Sequence, residues 1–263
     1  MNIVKASSKL MVAIVLATVI SVVTAAPPKR IFVTNEKDDT VSVIDGATNM
    51  VIATIRIGGR PRGIGIAPDG SEVYVAISTE NAIAVFDPET FEVLRSFKGG
   101  EDPETFAVHP NGNIYISNED DAKASVFNPK TGELLAEIKV GIEPEGVAIS
   151  PDGKVAVTGD AAKIVRVFDL VTKKAARDLP GHTTPISGVA FIPQVRTVLA
   201  TAQDGTLRGW LYTNGENQGV IHTAPVNAVV VNTEGRLVAV AGNDGVVRMA
   251  TWPPVPSQQL TQH

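Results

Sequence analysis

The 263-residue chain contains no cysteine. That excludes disulfides, a thiol nucleophile, a cysteine-held iron–sulfur cluster and a thioether-attached haem within the chain. Aromatic residues make up only 5%, too few for a platform on which bases stack. Basic residues are in deficit, 23 against 28 acidic ones, which gives a net charge of −5. Nucleic acid is therefore not an expected partner, because such binding relies on Lys and Arg displacing counterions from phosphates. No HExxH, GxSxG or phosphate-loop pattern occurs, and Gly63-Ile64-Gly65 is followed by Pro68 where a third glycine would stand. The Asp120-Asp121 pair lacks the spaced oxygen ligands of a calcium loop. The sequence thus gives no catalytic residue, no metal-ligand set and no cofactor to expect.

Long apolar runs are also scarce, and the one present lies at the start. Lys5 and Lys9 precede an apolar stretch from Leu10 to Val23, and Thr24-Ala25-Ala26-Pro27-Pro28 follows it. A basic start, a short apolar middle and small residues at the end form a secretory signal, with cleavage expected after Ala25. The run is shorter than the ~20 residues that span a bilayer, so membrane contact is expected only through this segment if it stays uncleaved. Residues 1–25 are read as the signal, 27–252 as one folded domain and 253–263 as a Pro-rich tail. The expected location is periplasmic or secreted, and the mature net charge is −7.

What the chain has in quantity is repetition. Pro61, Pro103, Pro144, Pro185 and Pro225 stand 42, 41, 41 and 40 residues apart. In phase with them run Ser42-Val43-Ile44-Asp45, Ala84-Val85-Phe86-Asp87, Ser125-Val126-Phe127-Asn128, Arg166-Val167-Phe168-Asp169 and Arg208-Gly209-Trp210-Leu211. The turns Pro68-Asp69-Gly70, Pro110-Asn111-Gly112, Pro151-Asp152-Gly153 and Thr233-Glu234-Gly235 keep the same register. Between these markers, apolar and β-branched residues alternate over four to six positions, the pattern of half-buried strands. Four antiparallel strands every ~40 residues predict a β-propeller. The chain starts at the second strand of a blade (Ile31–Thr34) and ends at the third (Val246–Trp252). That predicts 22 strands in six blades, the first and last incomplete, with Pro253, Pro254 and Pro256 arguing against a further strand.

Phe32-Val33-Thr34-Asn35 followed by Asp39-Thr40-Val41-Ser42-Val43-Ile44-Asp45 resembles the YVTN-type propeller repeat. The links Gly59-Arg60-Pro61-Arg62-Gly63 and Gly141-Ile142-Glu143-Pro144-Glu145-Gly146 are similar to it as well. The later units resemble WD repeats: Gly181-His182 with Ala202-Gln203-Asp204-Gly205-Thr206-Leu207-Arg208-Gly209-Trp210, and His222 with Asp244-Gly245-Val246-Val247-Arg248. In the last unit Ala250 replaces the tryptophan. This resemblance implies that His182, Asp204 and Trp210 form a buried structural network, with His222 and Asp244 doing the same one blade on.

In such a ring, the loops entering the first strand and those joining the second to the third share one rim. Here they carry Arg60, Arg62, Glu101, Asp102, Glu104, Glu143 and Glu145, then Glu36, Asp38, Asp39, Glu80, Glu119, Asp120, Asp121 and Asp160. Carboxylates outnumber Lys37, Lys123, Lys163 and the two arginines, so this face is expected to steer cationic partners. Arg62, Glu104 and Glu145 occupy one slot of successive repeats, directly after the linking proline, and are expected at the channel mouth. Ile186 and Val226 fill that slot later, which predicts an apolar far side. The candidate binding residues are Arg62, Glu104, Glu145, Arg60, Asp102 and Glu143. The expected function is a non-enzymatic binding or scaffold module that contacts a small ligand or a protein, such as a basic or periplasmic redox protein. Propellers resembling this one include lactonases, quinoprotein dehydrogenase subunits and haem-handling proteins, so the alternative expectation is an enzyme or cofactor carrier of that kind. Lactonase-like chemistry needs a metal held by axial carboxylates, to which Glu104 and Glu145 could contribute.

Overall fold

The computed structural model describes residues 29–254 and 261–262. The expected signal segment and most of the expected tail lie outside them. The regular secondary structure of the described residues is all strand apart from a single 3₁₀ turn at Ser78–Glu80.

Six antiparallel sheets follow one another along the sequence. The first holds β1 (Arg30–Asn35), β2 (Thr40–Asp45) and β3 (Met50–Arg56), and the second β4 (Pro61–Ile66), β5 (Val73–Ile77), β6 (Ala82–Phe86) and β7 (Val93–Lys98). The third is β8 (Pro103–Val108), β9 (Ile114–Asn118), β10 (Lys123–Asn128) and β11 (Glu133–Lys139). The fourth is β12 (Gly146–Ile149), β13 (Val155–Gly159), β14 (Val165–Asp169) and β15 (Lys174–Leu179). The fifth is β16 (Ile186–Phe191), β17 (Thr197–Ala202), β18 (Thr206–Leu211) and β19 (Asn217–His222). The sixth is β20 (Val226–Val231), β21 (Leu237–Gly242), β22 (Val247–Thr251) and β23 (Thr261–Gln262). Within each sheet every strand pairs with the next in sequence.

β23 is a departure from expectation. Its two residues pair with Arg248 and Met249 of β22. Pro253 and Pro254 have no N–H to give a ladder, and pairing with β22 is made instead by Thr261 and Gln262.

Strands β4, β8, β12, β16 and β20 pack one against the next around a common axis, with β1 beside β4. In the first blade no described strand fills the innermost place, so one edge of β1 is left unpaired. Burial is greatest in the middle strands: every residue of β5 and β17 is buried, whereas Met50, Val51 and Ile52 of the outer β3 are exposed. The core lies between blades, where faces of neighbouring sheets meet; Val157 and Val165 of the fourth pack with Val198 and Trp210 of the fifth.

The repeat markers have local causes. Asp45 Oδ1 accepts from the Ala47 and Thr48 amides, and Asp87 and Asp169 do the same for their own turns. These bonds cap the turn into the outer strand and hold all three carboxyls below the usual range. The glycines of the Pro-Asp-Gly turns, Gly70 and Gly153, sit at φ 73° and 70°, where a side chain is strained.

Candidate functional site

The linking prolines set the geometry of the mouth. Pro61 and Pro103 are the first residues of β4 and β8, so Arg62 and Glu104 are each the second residue of an inner strand. Glu145 directly precedes β12. Before each proline the backbone turns left-handed, at φ 50° for Arg60, 39° for Asp102 and 45° for Glu143. Side chains at the neighbouring rim loops hold two of these corners. Asp39 Oδ1 accepts from the Arg60 amide at 3.1 Å, and Asn81 Oδ1 from the Asp102 amide at 3.0 Å.

The arginines gather around Glu36, from the loop after β1. Arg60 Nε lies 3.3 Å and Arg62 Nη1 3.1 Å from Glu36 Oε1. The other terminal nitrogen of Arg62 contacts Glu104 Oε2. Glu104 is only 1% exposed, and its Oε1 has no hydrogen-bond partner among the described residues. Burial pushes its carboxyl up to about 7; Arg62 pulls it back, and the charges of Glu119 and Asp102 push it up further. One carboxylate oxygen from each of Asp102, Glu104 and Glu119 lies within 4.8 Å of the others. Ser78 Oγ donates to Asp102 Oδ1, and the Glu119 amide donates to the Asp102 carbonyl at 3.2 Å. Glu145 is also raised, by burial first and then by Glu119. The mouth is therefore a cluster of like charges with only part of its repulsion relieved.

Of the three residues in the repeated slot, Arg62 and Glu145 face open space and Glu104 is buried beside Arg62. Arg62 and Glu145 line a cavity of about 440 Å³ together with Glu36, while Glu104 pairs with Arg62 at its wall. Glu143 is exposed and makes no ion pair among the described residues. The far side differs from expectation. Ile186 lines the cavity, but Val226 is fully buried, and Ser187, Gln203 and Asn227 supply hydroxyl and amide groups instead. Asp160 is not a rim group either: it is fully buried and bonded to Arg166 Nε at 2.9 Å.

The network in the fifth blade forms. Asp204 Oδ1 accepts from Thr206 Oγ1 at 2.6 Å and from the Thr206 amide at 3.0 Å, and Oδ2 accepts from the Thr183 amide at 2.8 Å. His182 Nδ1 lies 3.0 Å from Thr206 Oγ1, and its ring meets Trp210 edge-on at 5.7 Å. Burial lowers the His182 pKa and keeps the ring neutral. No such network forms in the sixth blade. His222 is exposed at the end of β19, and Asp244 pairs instead with Arg248, Nη1 to Oδ1 at 3.0 Å. Ala250 in place of tryptophan leaves no ring there against which a histidine could pack.

Sequence reasoning placed Glu36 and Glu119 in the rim without marking them as site residues. Their roles depend on how neighbouring loops approach across the ring. The only available signal was their place in loops facing Arg62 and Glu104.

Residues 4–118 match the YNCE-like beta-propeller family model, and residues 173–210 and 216–249 match the WD domain, G-beta repeat model. The chain is a six-bladed β-propeller, similar to the YNCE-like model over its first part and to the WD-repeat model over two later stretches. No curated protein matches it. Among solved structures, a chain of Kuenenia stuttgartiensis Hydrazine Synthase is similar, with 25% identity and a TM-score of 0.63. The likeness covers 77% of the propeller chain but only 61% of the hydrazine synthase chain.

Proposed function

We propose that this propeller is an exported binding module whose carboxylate-rich mouth docks the basic surface of a protein partner. One observation carries the reading: in the rim loops twelve carboxylates, Glu36, Asp102, Glu119, Glu143 and Glu145 among them, face five basic residues, Arg60, Arg62, Lys37, Lys123 and Lys163. Such a concentration of one sign raises the local concentration of cationic partners and speeds their encounter. The signal-like segment ending at Ala25 supports action outside the cytoplasm.

The test uses immobilised propeller with cytochrome c as a basic probe. Raising ionic strength from about 0.01 M to about 1 M shortens the screening length from about 30 Å to about 3 Å and should abolish binding. Charge reversal at the exposed rim, Glu143→Lys, should weaken it at low salt. Salt-insensitive binding, or no difference between Glu143→Lys and wild type, would refute the reading. Amino-terminal sequencing of protein from the periplasmic fraction should find the chain beginning at Ala26.

A second reading has its own support in the similarity to hydrazine synthase: a propeller that forms part of an enzyme.

A further inference from the structure

We infer that Asp102, Glu104 and Glu119 form a binding site for a hard divalent cation, calcium above all. The inference is separate from protein docking at the rim. It rests on two independent features of the mouth.

The first is convergence. Two of the carboxylates flank Pro103, at the left-handed corner before β8 and at the second residue of β8, and the third comes from the residue just after β9, fifteen positions on from Glu104. Backbone bonds fix these positions relative to one another, since Pro103 pairs with Asn118 and the Glu119 amide donates to the Asp102 carbonyl. One oxygen of each carboxylate lies within 4.8 Å of the other two. Oxygens held at 2.3–2.6 Å around calcium are at most about 5 Å apart, so this spread fits one shell. Magnesium demands near-ideal octahedral geometry and dehydrates reluctantly, so calcium is the expected preference. The donors are all carboxylate oxygen, with no histidine or cysteine, which favours hard cations over zinc or copper.

The second feature is an unused ligand atom. The Glu104 side chain is 1% exposed, and its Oε1 has no hydrogen-bond partner among the described residues. A buried carboxylate oxygen left without a donor is costly, and native structures seldom tolerate one without a reason. Arg62 occupies the other oxygen of the same carboxylate and so fixes its orientation, with Oε1 left free. Ser78 plays the same part for Asp102 through Oδ1. These are the supporting contacts that orient ligating carboxylates in metal sites. With all three carboxylates ionised, Arg62 offsets only part of the charge; a divalent cation would offset the rest, with water filling the remaining coordination positions.

The experiment is calorimetric titration of the purified full chain, first stripped with a chelator, with calcium chloride and then with magnesium chloride. The expected result is one calcium per chain, with a Kd on the order of 10⁻⁴ to 10⁻³ M, as in extracellular calcium modules, and weaker magnesium binding. Glu119→Gln and Glu104→Gln should each weaken calcium binding by roughly tenfold or more, the scale seen when even supporting residues of metal sites are lost. Glu133→Gln, on the exposed outer strand β11, should leave it unchanged. Glu119 is partly exposed, so its variant reports on the site even if Glu104→Gln fails to fold by circular dichroism. Absence of calcium binding in the wild type would overturn the proposal. So would calcium binding that survives Glu119→Gln undiminished, since that would mean ions spread diffusely over the rim. Salt-sensitive capture of cytochrome c bears on the docking reading alone, so the two can fail independently.

Discussion

Asp204→Asn is the sharpest probe of the fifth-blade network. The carboxylate is nearly buried, 8% exposed, and accepts hydrogen bonds on both oxygens from Thr206 and Thr183. Burial by itself would raise its pKa; the bonds from Thr206 and Thr183, with His182 beside it, outweigh that and hold it at about 2 against an ordinary 3.8. A carboxyl depressed in the folded state contributes stability above the unfolded pKa and loses it as pH falls through the folded one. At about 1.4 kcal/mol per pH unit, the contribution is about 2 kcal/mol, fully present above pH 4 and lost toward pH 2. Asparagine keeps the shape but turns one oxygen into a donor, which then faces a threonine amide or hydroxyl that also donates. The variant should be less stable by about 2 kcal/mol at pH 7, a melting-temperature drop of roughly 4–8 °C for a domain of this size. Urea unfolding followed by fluorescence of Trp210 and Trp252, at pH 7, 4 and 2, gives the comparison. The difference from wild type should persist at pH 4 and close toward pH 2. An equal deficit at pH 2 and 7, or none at pH 7, would refute the reasoning.

Other outcomes follow from the same packing. Gly141→Ala would place a Cβ 1.6 Å from Asp160 Oδ2, an atom held by Arg166, and should cost about 3 kcal/mol or more, read as a lower urea midpoint. Trp210→Ala should cost about 3–5 kcal/mol by the same assay, because the ring is buried between the fourth and fifth blades and carries the edge of His182. All three tyrosines are raised above 10, chiefly by burial, with Tyr74 pushed up to about 12. Alkaline titration of the folded protein should therefore show less phenolate at pH 10 than the half-ionisation of free tyrosine, and half-ionised tyrosines at that pH would contradict the packing described.

The blade order and register were legible in the sequence because the markers do local work. Asp45, Asp87 and Asp169 bond their own turns, and Pro61 and Pro103 open inner strands, so phase alone sent Arg62 and Glu104 to the mouth. What depends on approach between strands and blades was not legible. Asp160 reads as one more loop acid until Arg166, on the third strand of its own blade, is seen to turn in and bury it. His109 showed no partner in sequence, yet its Nε2 lies 2.8 Å from the Gly153 carbonyl of the next blade. Val226 follows the proline in the same slot as Arg62, but its apolar side chain is drawn into the core, and Asn227 comes to line the mouth instead. Glu36 acquires its role only when the neighbouring blade brings Arg62 to it, and Glu119 only when the pairing of β8 with β9 sets it beside Glu104.

The most direct measurement is an anomalous difference map from crystals grown with terbium, a calcium-like scatterer. The account predicts its strongest peak at the channel mouth, between the carboxylates of Asp102, Glu104 and Glu119. Peaks confined to the outer loops, with none at that mouth, would contradict it.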